Sequence, residues 1–217
     1  MSRALLATVA LTLALASAWG EDKVCKKEDG AVRIVGISGS VRAGSTNTGL
    51  LRAAQEAAKG MPGVSVEILD VSKLPHLDNS LIKDGKFPSE VAAYREKIAQ
   101  ADAVYFAVTE YNYAVSGVMK NAIDWAAHGY GNVLAGKPAA MMGSGGGAGT
   151  ARAQMNLRII GGEADVHFLN KPEIMIARWW EGPVFDDDGN MLDEKWRGRV
   201  GEQLKALVAW ARRLAEC

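Results

Sequence analysis

The sequence predicts an α/β fold in which a doubly wound parallel sheet carries helices on both faces. Short apolar segments alternate with longer helical patterns from residue 31 to residue 214. The segments at 32–38, 103–109 and 138–143 are apolar almost throughout, which is typical of strands buried on both faces of a sheet. Because parallel neighbours need a crossover connection, the intervening helices are expected to cover both sides.

Each predicted element follows from its local pattern and from the residues that interrupt it. Strands are predicted at residues 32–38, 64–70, 103–109, 138–143 and 166–169, the last with a continuation at 173–177. Helical spacing of apolar residues predicts helices at 48–59, 90–100, 117–127, 151–160 and 193–214. Gly85 and Pro88 place a loop before the second helix. Residues 186–190, Asp-Asp-Asp-Gly-Asn, indicate a turn, since a calcium loop needs more ligands in a longer pattern.

Length and composition are those of an ordinary globular protein. The 217 residues include 25 Lys plus Arg and 25 Asp plus Glu, so the net charge is zero with histidine neutral, and 48% are hydrophobic. This balance offers neither the basic excess of a nucleic-acid-binding protein nor an acidic tail for a basic partner. One domain is expected at residues 31–217, because no repeat or linker divides that stretch.

The first 18 residues have the layout of a secretory signal peptide. Arg3 precedes an apolar run at 4–16, residues 16–18 (Ala-Ser-Ala) form a small-x-small cleavage pattern, and a polar segment follows at 19–30. The run is shorter than the roughly 20 residues of a membrane span. The alternatives are an organelle leader or a helical or disordered extension. The predicted location is the secretory pathway or an organelle if the leader is genuine, and the cytoplasm otherwise.

The cysteines and histidines indicate no metal centre. Cys25 and Cys217 lie near the two ends of the chain, where they either pair in an oxidising compartment or stay as free thiols. No Cys-x-x-Cys is present. His76, His128 and His167 are scattered without the spacing of metal ligands. Neither zinc binding nor dithiol chemistry is therefore expected.

A phosphate site is predicted at residues 39–47, Gly-Ser-Val-Arg-Ala-Gly-Ser-Thr-Asn, between the first strand and the first helix. A helix start carries unpaired N–H groups and a partial positive charge of about half a unit. Ser40, Ser45 and Asn47 can hydrogen-bond to a phosphate, and Arg42 adds a fixed cation. Because the segment lacks Gly-x-Gly-x-x-Gly and a P-loop lysine, it suits a terminal phosphomonoester such as that of FMN. The alternative is a helix start that is only well capped.

A second loop, Thr109-Glu110-Tyr111-Asn112-Tyr113, follows the predicted third strand. The tyrosines offer flat apolar surface with a polar tip, and the asparagine amide offers both donors and an acceptor. These groups suit a flavin ring system. The alternative is a loop whose tyrosines only cover the end of the sheet. The glutamate equally fits a helix-supporting or ion-pairing residue, so it is assigned no acid–base role.

A third loop at residues 143–150, Gly-Ser-Gly-Gly-Gly-Ala-Gly-Thr, contains five glycines in eight residues. Such a backbone can pass very close to a flat ligand. A flexible linker is the alternative. The loop joins an apolar strand directly to the helical pattern at 151–160, where a linker is unexpected, so the sequence favours the ligand.

Together these segments resemble the NADPH-dependent FMN reductase family, which includes chromate reductases and NAD(P)H:quinone reductases. Residues 39–47 are similar to its Gly-Ser-x-Arg-x-x-Ser-x-Asn phosphate motif, and residues 110–113 to its Pro-Glu-Tyr-Asn loop. Residues 116–125 and 143–154 resemble the helix that follows and the third flavin loop with its helix. The resemblance covers residues 31–214 in the same order and implies a flavodoxin-like, doubly wound, five-stranded parallel sheet.

The resemblance also implies the cofactors and the residues that hold them. FMN is the bound cofactor, NADPH or NADH the electron donor, and a quinone or similar small molecule the acceptor. Hydride reaches the acceptor through FMN in a ping-pong reaction, so no catalytic acid or base is assigned. The residues that the resemblance implies fall into three groups. The FMN phosphate is held by Ser40, Arg42, Ser45, Thr46 and Asn47. The ribityl chain and ring are lined by Glu110, Tyr111, Asn112 and Tyr113, and the ring's other edge meets Ser144, Gly145 and Gly146.

Two residues depart from the family pattern. Thr109 stands where proline is usual and is expected to loosen the entry into its loop. Thr150 stands where glycine is common and is expected to narrow one approach to the ring. Tyr113 and Trp125 are expected to shape the face where nicotinamide and acceptor alternate.

The sequence leaves alternatives open for both the oligomeric state and the function. By resemblance the helix at 117–127 helps form a homodimer or homotetramer with the flavin site near the interface, whereas its pattern alone equally predicts one buried face of a monomer. A flavodoxin-like electron carrier and a non-enzymatic flavin-binding module are the alternative functions. The balanced charge and Arg42 argue against the carrier. No 2′-phosphate site distinguishes NADPH from NADH, and neither nucleic acid nor a membrane is an expected partner.

Overall fold

The computed structural model describes residues 30–215. The predicted leader, Cys25 and Cys217 lie outside the described residues. Within the described part, no helix is long and apolar enough to cross a membrane. The same part contains no group of three or more His, Cys, Asp or Glu side chains that could hold a metal ion.

A parallel sheet forms the centre of the fold, as the sequence predicts. Its strands are β1 (Val32–Ser38), β2 (Val64–Leu69), β3 (Ala103–Ala107), β6 (Pro138–Gly145), β7 (His167–Phe168) and β8 (Ile174–Ala177), and a separate hairpin pairs β4 (Glu110–Tyr111) with β5 (Ala114–Val115). The sheet order is β2-β1-β3-β6-β7, with β8 also paired to β6. The chain moves outward from β1 to β2 and then returns to the other side of β1. Ligands of such sheets bind at this reversal, at the carboxyl ends of the strands.

Five helices cover the two faces of the sheet. They are α1 (Thr46–Lys59), α2 (Ser89–Ala99), α3 (Gly117–Ala126), α4 (Ala151–Glu163) and α5 (Glu194–Leu214). Leu51 of α1 and Leu207 of α5 belong to the core on one face. Ile98, Met119 and Leu157, from the other three helices, belong to the core on the opposite face. The flavodoxin-like α/β architecture is therefore confirmed.

The alternation of side chains along the strands divides the core into two layers. In β3 the Tyr105 side chain packs against α1 and α5, whereas Phe106 packs against the layer of the other helices. Both side chains are almost fully buried. The hydroxyl of Tyr105 donates to Oε1 of Gln203 at 2.6 Å, which satisfies the one polar atom that this apolar strand carries into the core.

Most apolar residues of α3 are buried inside the chain itself. Met119, Ala122, Ile123 and Ala126 are all at most 3% exposed, whereas Val118 is half-buried. Packing within one chain therefore accounts for most of this pattern, and the homodimer stays a prediction. The carbonyl oxygens of Trp125 and Ala126, at the end of the helix, accept hydrogen bonds from the buried guanidinium of Arg95, so the last turn is closed by a side chain.

The structure differs from the predicted elements mainly at the ends of strands. The third strand stops at Ala107 instead of residue 109, because the chain turns out of the sheet to form the β4–β5 hairpin. The last predicted strand is two short strands, β7 and β8, which pair with successive parts of β6. Hairpins of two-residue strands leave no measurable periodicity, so the sequence pattern missed this one.

Candidate functional site

The three predicted loops meet at one edge of the sheet and are tied together by Asn47. Its Nδ2 donates to Oγ1 of Thr109 and to the carbonyl oxygen of Ser144, both at 3.1 Å, and its Oδ1 accepts from the Ser144 N–H at 2.8 Å. The side chain is 4% exposed. The amide therefore uses its bonding groups to fasten the start of α1 to the ends of β3 and β6.

The first loop, residues 39–45, is held on the sheet by hydroxyl groups. Oγ of Ser116, the N-cap of α3, donates to the carbonyl oxygen of Gly39 at 2.6 Å and accepts from the Met119 N–H at 3.2 Å. Oγ of Ser45 caps α1 by accepting from the Thr48 N–H at 3.3 Å. These bonds fasten the two ends of the loop.

Two groups of the first loop remain free to contact a ligand. The exposed guanidinium of Arg42 has no ion-pair partner among residues 30–215. Oγ of Ser40 receives only a long bond, 3.3 Å, from the Arg42 N–H and keeps its own proton available. Arg42 lines two cavities, of about 320 and 330 Å³. An exposed cation just before the start of α1 can bind a phosphate.

The second loop is a tight hairpin with a strained tip. Asn112 and Tyr113 join β4 to β5, and both have positive φ angles, 49° and 66°. A two-residue hairpin turn of this kind suits asparagine, but a tyrosine is unusual there. Tyr111 and Tyr113 are 69% and 68% exposed. The strained turn holds two aromatic side chains out from the edge of the sheet, which is the behaviour expected of a functional loop.

Glu110 has a structural role at the start of α4 that the sequence did not decide. Its Oε2 accepts from the Ala153 N–H at 2.9 Å, in the first turn of α4. Thr150, at the N-cap position of that helix, supplies no side-chain cap. A carboxylate at this end is also favoured by the helix dipole. Glu110 therefore caps α4 from a different loop and joins the second loop to the third.

The glycine-rich loop is packed against its neighbours and is not a linker. A Cβ at Gly143 would stand 1.8 Å from Oγ1 of Thr150, and one at Gly145 would stand 2.0 Å from the carbonyl oxygen of Gly149. The loop folds back on itself too closely for any side chain at these positions. Thr150 is fully buried beneath the loop, so the expectation that it narrows an approach to the ring is wrong.

Trp125 is also not where the sequence analysis placed it. The side chain is fully buried, and its Nε1 donates to the carbonyl oxygen of Pro75 at 2.8 Å. Its ring packs edge-to-face with Phe87, with ring centroids 6.2 Å apart. The turn of α3 directs Trp125 under the loop that precedes α2. It does not shape an open face, whereas Tyr113 is exposed and in a position to do so.

Comparison with known proteins agrees with this geometry. The model of the NADPH-dependent FMN reductase family matches residues 32–181. The chain belongs to this family. Among curated relatives, an NAD(P)H:quinone oxidoreductase of Solanum tuberosum is 45% identical over 184 residues, which are 84% of this chain and 94% of the relative. An NAD(P)H-dependent FMN reductase of Pseudomonas aeruginosa is 46% identical over 186 residues, 84% of this chain and 97% of the relative.

A solved structure extends the match to three dimensions. The flavoenzyme NAD(P)H:(acceptor) oxidoreductase FerB of Paracoccus denitrificans superposes with a TM-score of 0.72 at 32% identity, covering 83% of this chain and 97% of that one. The chain is therefore an FMN-dependent NAD(P)H oxidoreductase of the FMN reductase family, and its cofactors are FMN and NAD(P)H.

The residues at the sheet edge fit FMN. The free guanidinium of Arg42 stands at a helix start, as a phosphomonoester requires. The exposed tyrosines of the hairpin offer surface for a flat ring. Oγ of Ser144, where the loops join, is buried and has no hydrogen-bond partner in the described part of the chain. Such an orphaned hydroxyl is costly in a folded protein, and a polar ligand at this edge accounts for it.

Sequence reasoning missed the residues that follow β8. Arg178 borders one cavity beside Arg42, and Trp179 and Trp180 lie against the glycine-rich loop. The signal was present, since two adjacent tryptophans follow directly after a predicted apolar strand. These residues lie outside the motifs that carry the family resemblance, so the sequence alone assigned them no role.

Proposed function

We propose that this protein is an NAD(P)H:quinone oxidoreductase whose bound FMN is held by the three loops at the carboxyl edge of the sheet. The overall reaction is NAD(P)H + H⁺ + quinone → NAD(P)⁺ + hydroquinone. The quinone gains two electrons and two protons, and solvent supplies the proton that does not come from NAD(P)H. The observation that carries the proposal is the Asn47 junction, which brings a free cation and an aromatic hairpin to one edge.

FMN, when bound, supplies the hydride acceptor and donor chemistry that the amino acids lack. Arg42 and Ser40 bind its phosphate at the start of α1, together with the N–H groups of the first turn. Tyr111 and Tyr113 orient the ring, and the backbone of Gly145 and Gly146 allows close approach. The remaining predicted contacts with FMN stay part of the proposal: Ser45, Thr46, Asn47, Glu110, Asn112 and Ser144.

Three of these residues already have partners in the protein. The side chains of Asn47, Glu110 and Ser45 make the junction, the α4 cap and the α1 cap described above. We propose that they act mainly by positioning the groups that touch FMN. Their loss is expected to weaken cofactor binding together with stability, whereas loss of Arg42 is expected to affect cofactor binding alone.

Spectroscopy of the purified protein tests the proposal. The protein is expected to carry FMN absorbance, to lose it anaerobically on addition of NADPH or NADH, and to regain it when menadione is added. Parallel titrations with the two nucleotides determine which donor is used. A yellow protein that neither nucleotide bleaches is an electron carrier, and a protein that binds no FMN is not a flavoenzyme.

The proposal includes a homodimer. Met155 and Ile159 lie one turn apart on α4 and are 68% and 76% exposed, and the adjacent hairpin exposes Tyr111. The Val115 N–H donates to Oδ1 of Asn156 at 3.2 Å, so hairpin and helix form one surface. Sedimentation is expected to show a dimer that Ile159→Glu weakens; a wild-type monomer at micromolar concentration contradicts it.

We also propose that residues 1–18 are a leader that directs the protein to the secretory pathway or an organelle. The support is the sequence pattern alone: Arg3, an apolar run, and a small-x-small site. N-terminal sequencing of the protein from its native source is expected to begin near Trp19. A chain that still begins at residue 1 or 2 would contradict removal of a leader at this site.

A further inference from the structure

Trp179 and Trp180 form an aromatic cover on the glycine-rich loop. A Cβ at Gly146 would stand 2.9 Å from Cζ2 of Trp179, and one at Gly147 would stand 2.8 Å from its Cε3. Nε1 of Trp180 donates to the carbonyl oxygen of Gly147 at 2.8 Å. The two rings meet edge-to-face with centroids 6.5 Å apart. The small residues of the loop therefore serve to receive the indole rings.

These indole rings are nevertheless largely exposed. Trp179 and Trp180 are 74% and 77% exposed, although Trp180 is hydrogen-bonded to the loop and Trp179 lies against it. They line a cavity of about 410 Å³ that also takes in Tyr113, Arg152 and Glu110. Glu110, Tyr113 and Gly146 also line this cavity and are contacts of FMN under the proposed function, so Trp179 and Arg152 border the site of the FMN ring. Large aromatic surface left open around a cavity marks a binding site more often than a structural one.

The cavity contains one unpaired positive charge and one negative charge that is already hydrogen-bonded. The Arg152 guanidinium lies over the Tyr113 ring, 4.2 Å from its centroid, and has no ion-pair partner among the described residues. The carboxylate of Glu110 is the opposing charge, but one of its oxygens is bonded to the first turn of α4. The positive helix end offsets that carboxylate. Arg152 is thus the charge that remains available to a ligand.

We propose that the border of this cavity formed by Trp179 and Arg152, beside the FMN ring, is the acceptor site, and that it selects planar aromatic oxidants carrying an anionic group, such as a sulfonate or a hydroxyquinone oxygen. Trp179 stacks on the ring of the acceptor, and Arg152 binds its anionic group. The inference rests on the proposed function for turnover, in which the acceptor takes two electrons and two protons. Binding of the ring and its anion does not depend on turnover and can be measured separately.

Binding is tested with a matched pair of redox-inert probes, 2-naphthalenesulfonate and the neutral 2-naphthalenesulfonamide, by calorimetry on the FMN-loaded protein. The anion is expected to bind more tightly. Trp179→Ala weakens both probes by about threefold to tenfold, as loss of an aromatic contact does, and Trp179→Phe restores most of the affinity. Arg152→Gln weakens only the anion, by about threefold. The control is Arg158→Gln, which removes another ring-stacked cation of α4, 5.7 Å from the Phe168 centroid, outside the cavity.

Kinetics test the same site during turnover. With 1,2-naphthoquinone-4-sulfonate and menadione as acceptors, Arg152→Gln is expected to lower kcat/KM for the sulfonate alone, whereas Trp179→Ala lowers it for both. Arg158→Gln, the control outside the cavity, is expected to leave kcat/KM unchanged for both acceptors. Probe binding without quinone turnover would contradict the proposed function but would still support a binding site at Trp179 and Arg152.

Several results would overturn the inference. One is an unchanged preference for the anion in Arg152→Gln. Another is loss of FMN from Trp179→Ala, which would make the indole a cofactor contact. A slower reaction of NADPH with that variant, at unchanged quinone kinetics, would assign the cavity to the nucleotide. A changed sedimentation coefficient would assign the tryptophans to a contact between copies of the chain.

Discussion

At the scale of single residues, the site separates into groups that hold the protein together and groups that are free to bind. Asn47 and Glu110 are engaged by other loops, whereas Arg42 and Tyr113 face solvent. The sequence predicted all of them as ligand contacts, because residue type and motif position do not reveal which partner a side chain finds. The distinction matters for mutagenesis. Replacing a residue of the first kind should lower the stability of the protein, whereas replacing one of the second kind should weaken ligand binding.

Replacing Arg42 should weaken FMN binding without affecting the fold. Hydrogen bonds to charged groups contribute about 1.5–3 kcal/mol, so Arg42→Ala is expected to raise the FMN dissociation constant about 10- to 100-fold. Fluorescence titration of the apoprotein with FMN measures this. Arg33→Ala is the control, because Arg33 lies at the opposite end of β1. Equal effects of the two changes would show that the first loop is not the phosphate site.

Replacing Asn47 should destabilise the protein even without FMN. Asn47→Ala leaves the buried Ser144 N–H and carbonyl without their partner, and each unpaired group costs about 1–3 kcal/mol. We expect the free energy of unfolding of the apoprotein to fall by about 2–4 kcal/mol. Thr109→Val removes a single bond to the same amide and should cost about 1 kcal/mol. Urea denaturation measures both, and equal losses would refute the junction.

The hydrogen bond between Asn47 and Thr109 gives a structural reason for threonine in place of the proline that is usual in the family. The sequence predicted that threonine in place of proline loosens the entry to the second loop. Its hydroxyl instead accepts from Nδ2 of Asn47, a bond that proline cannot make. The effect of this residue on loop entry remains a prediction, but the structure shows that it links β3 to α1.

At the scale of elements, helix starts carry much of the organisation of the site. The starts of α1 and α3 are capped by their own serines, and the start of α4 by a residue 43 positions away in sequence. The first two caps can be recognised in the sequence, because a serine precedes each helical pattern. The third cannot be recognised there, since nothing in the local sequence connects Glu110 to α4. Long-range caps of this kind are decided by packing of the hairpin on the helix.

Removing the α4 cap should cost stability in a way that depends on helix polarity. Glu110→Ala is expected to lower the free energy of unfolding by about 0.5–2 kcal/mol, the usual range for a lost N-cap. Glu163→Ala, at the other end of α4, is the matched control, because a carboxylate at a helix C-terminus is unfavourable. Its removal should be neutral or slightly stabilising. Urea denaturation compares the two, and a loss in the control as large as in Glu110→Ala speaks against the cap.

At the scale of the whole molecule, the two core layers bury two tyrosines with consequences for pH. Burial raises the pKa of both Tyr94 and Tyr105 above the ordinary value of about 10. The hydroxyl of Tyr94 donates to the carbonyl oxygen of Ala122 at 3.2 Å, and Tyr105 donates to Gln203. The folded state thus keeps both protons at a pH where the unfolded chain releases them.

Stability should therefore decrease under alkaline conditions. The contribution of the two tyrosines to the free energy of unfolding is fully present below the unfolded pKa of about 10. It falls as pH rises above that value, because only the unfolded state loses the two protons. Urea midpoints measured between about pH 8 and about pH 11 test this. Tyr105→Phe should reduce the slope, whereas Tyr130→Phe, at an exposed position, should leave it unchanged. A flat profile in the wild type would mean that the tyrosines ionise in the folded core.

The sequence by itself determined the succession of the main-sheet strands and the helices along the chain, their approximate bounds, and the three loops that follow β1, β3 and β6, but not the β4–β5 hairpin. These features rest on local periodicity, capping residues and glycine content, which act over a few residues. Tertiary structure decided the division of labour within the site. Asn47 became a junction, Glu110 a cap, Thr150 and Trp125 buried packing residues, and Trp179 and Trp180 the wall of a cavity. The physical reason is that hydrogen bonding and burial depend on which strands are neighbours, and neighbours in this sheet are distant in sequence.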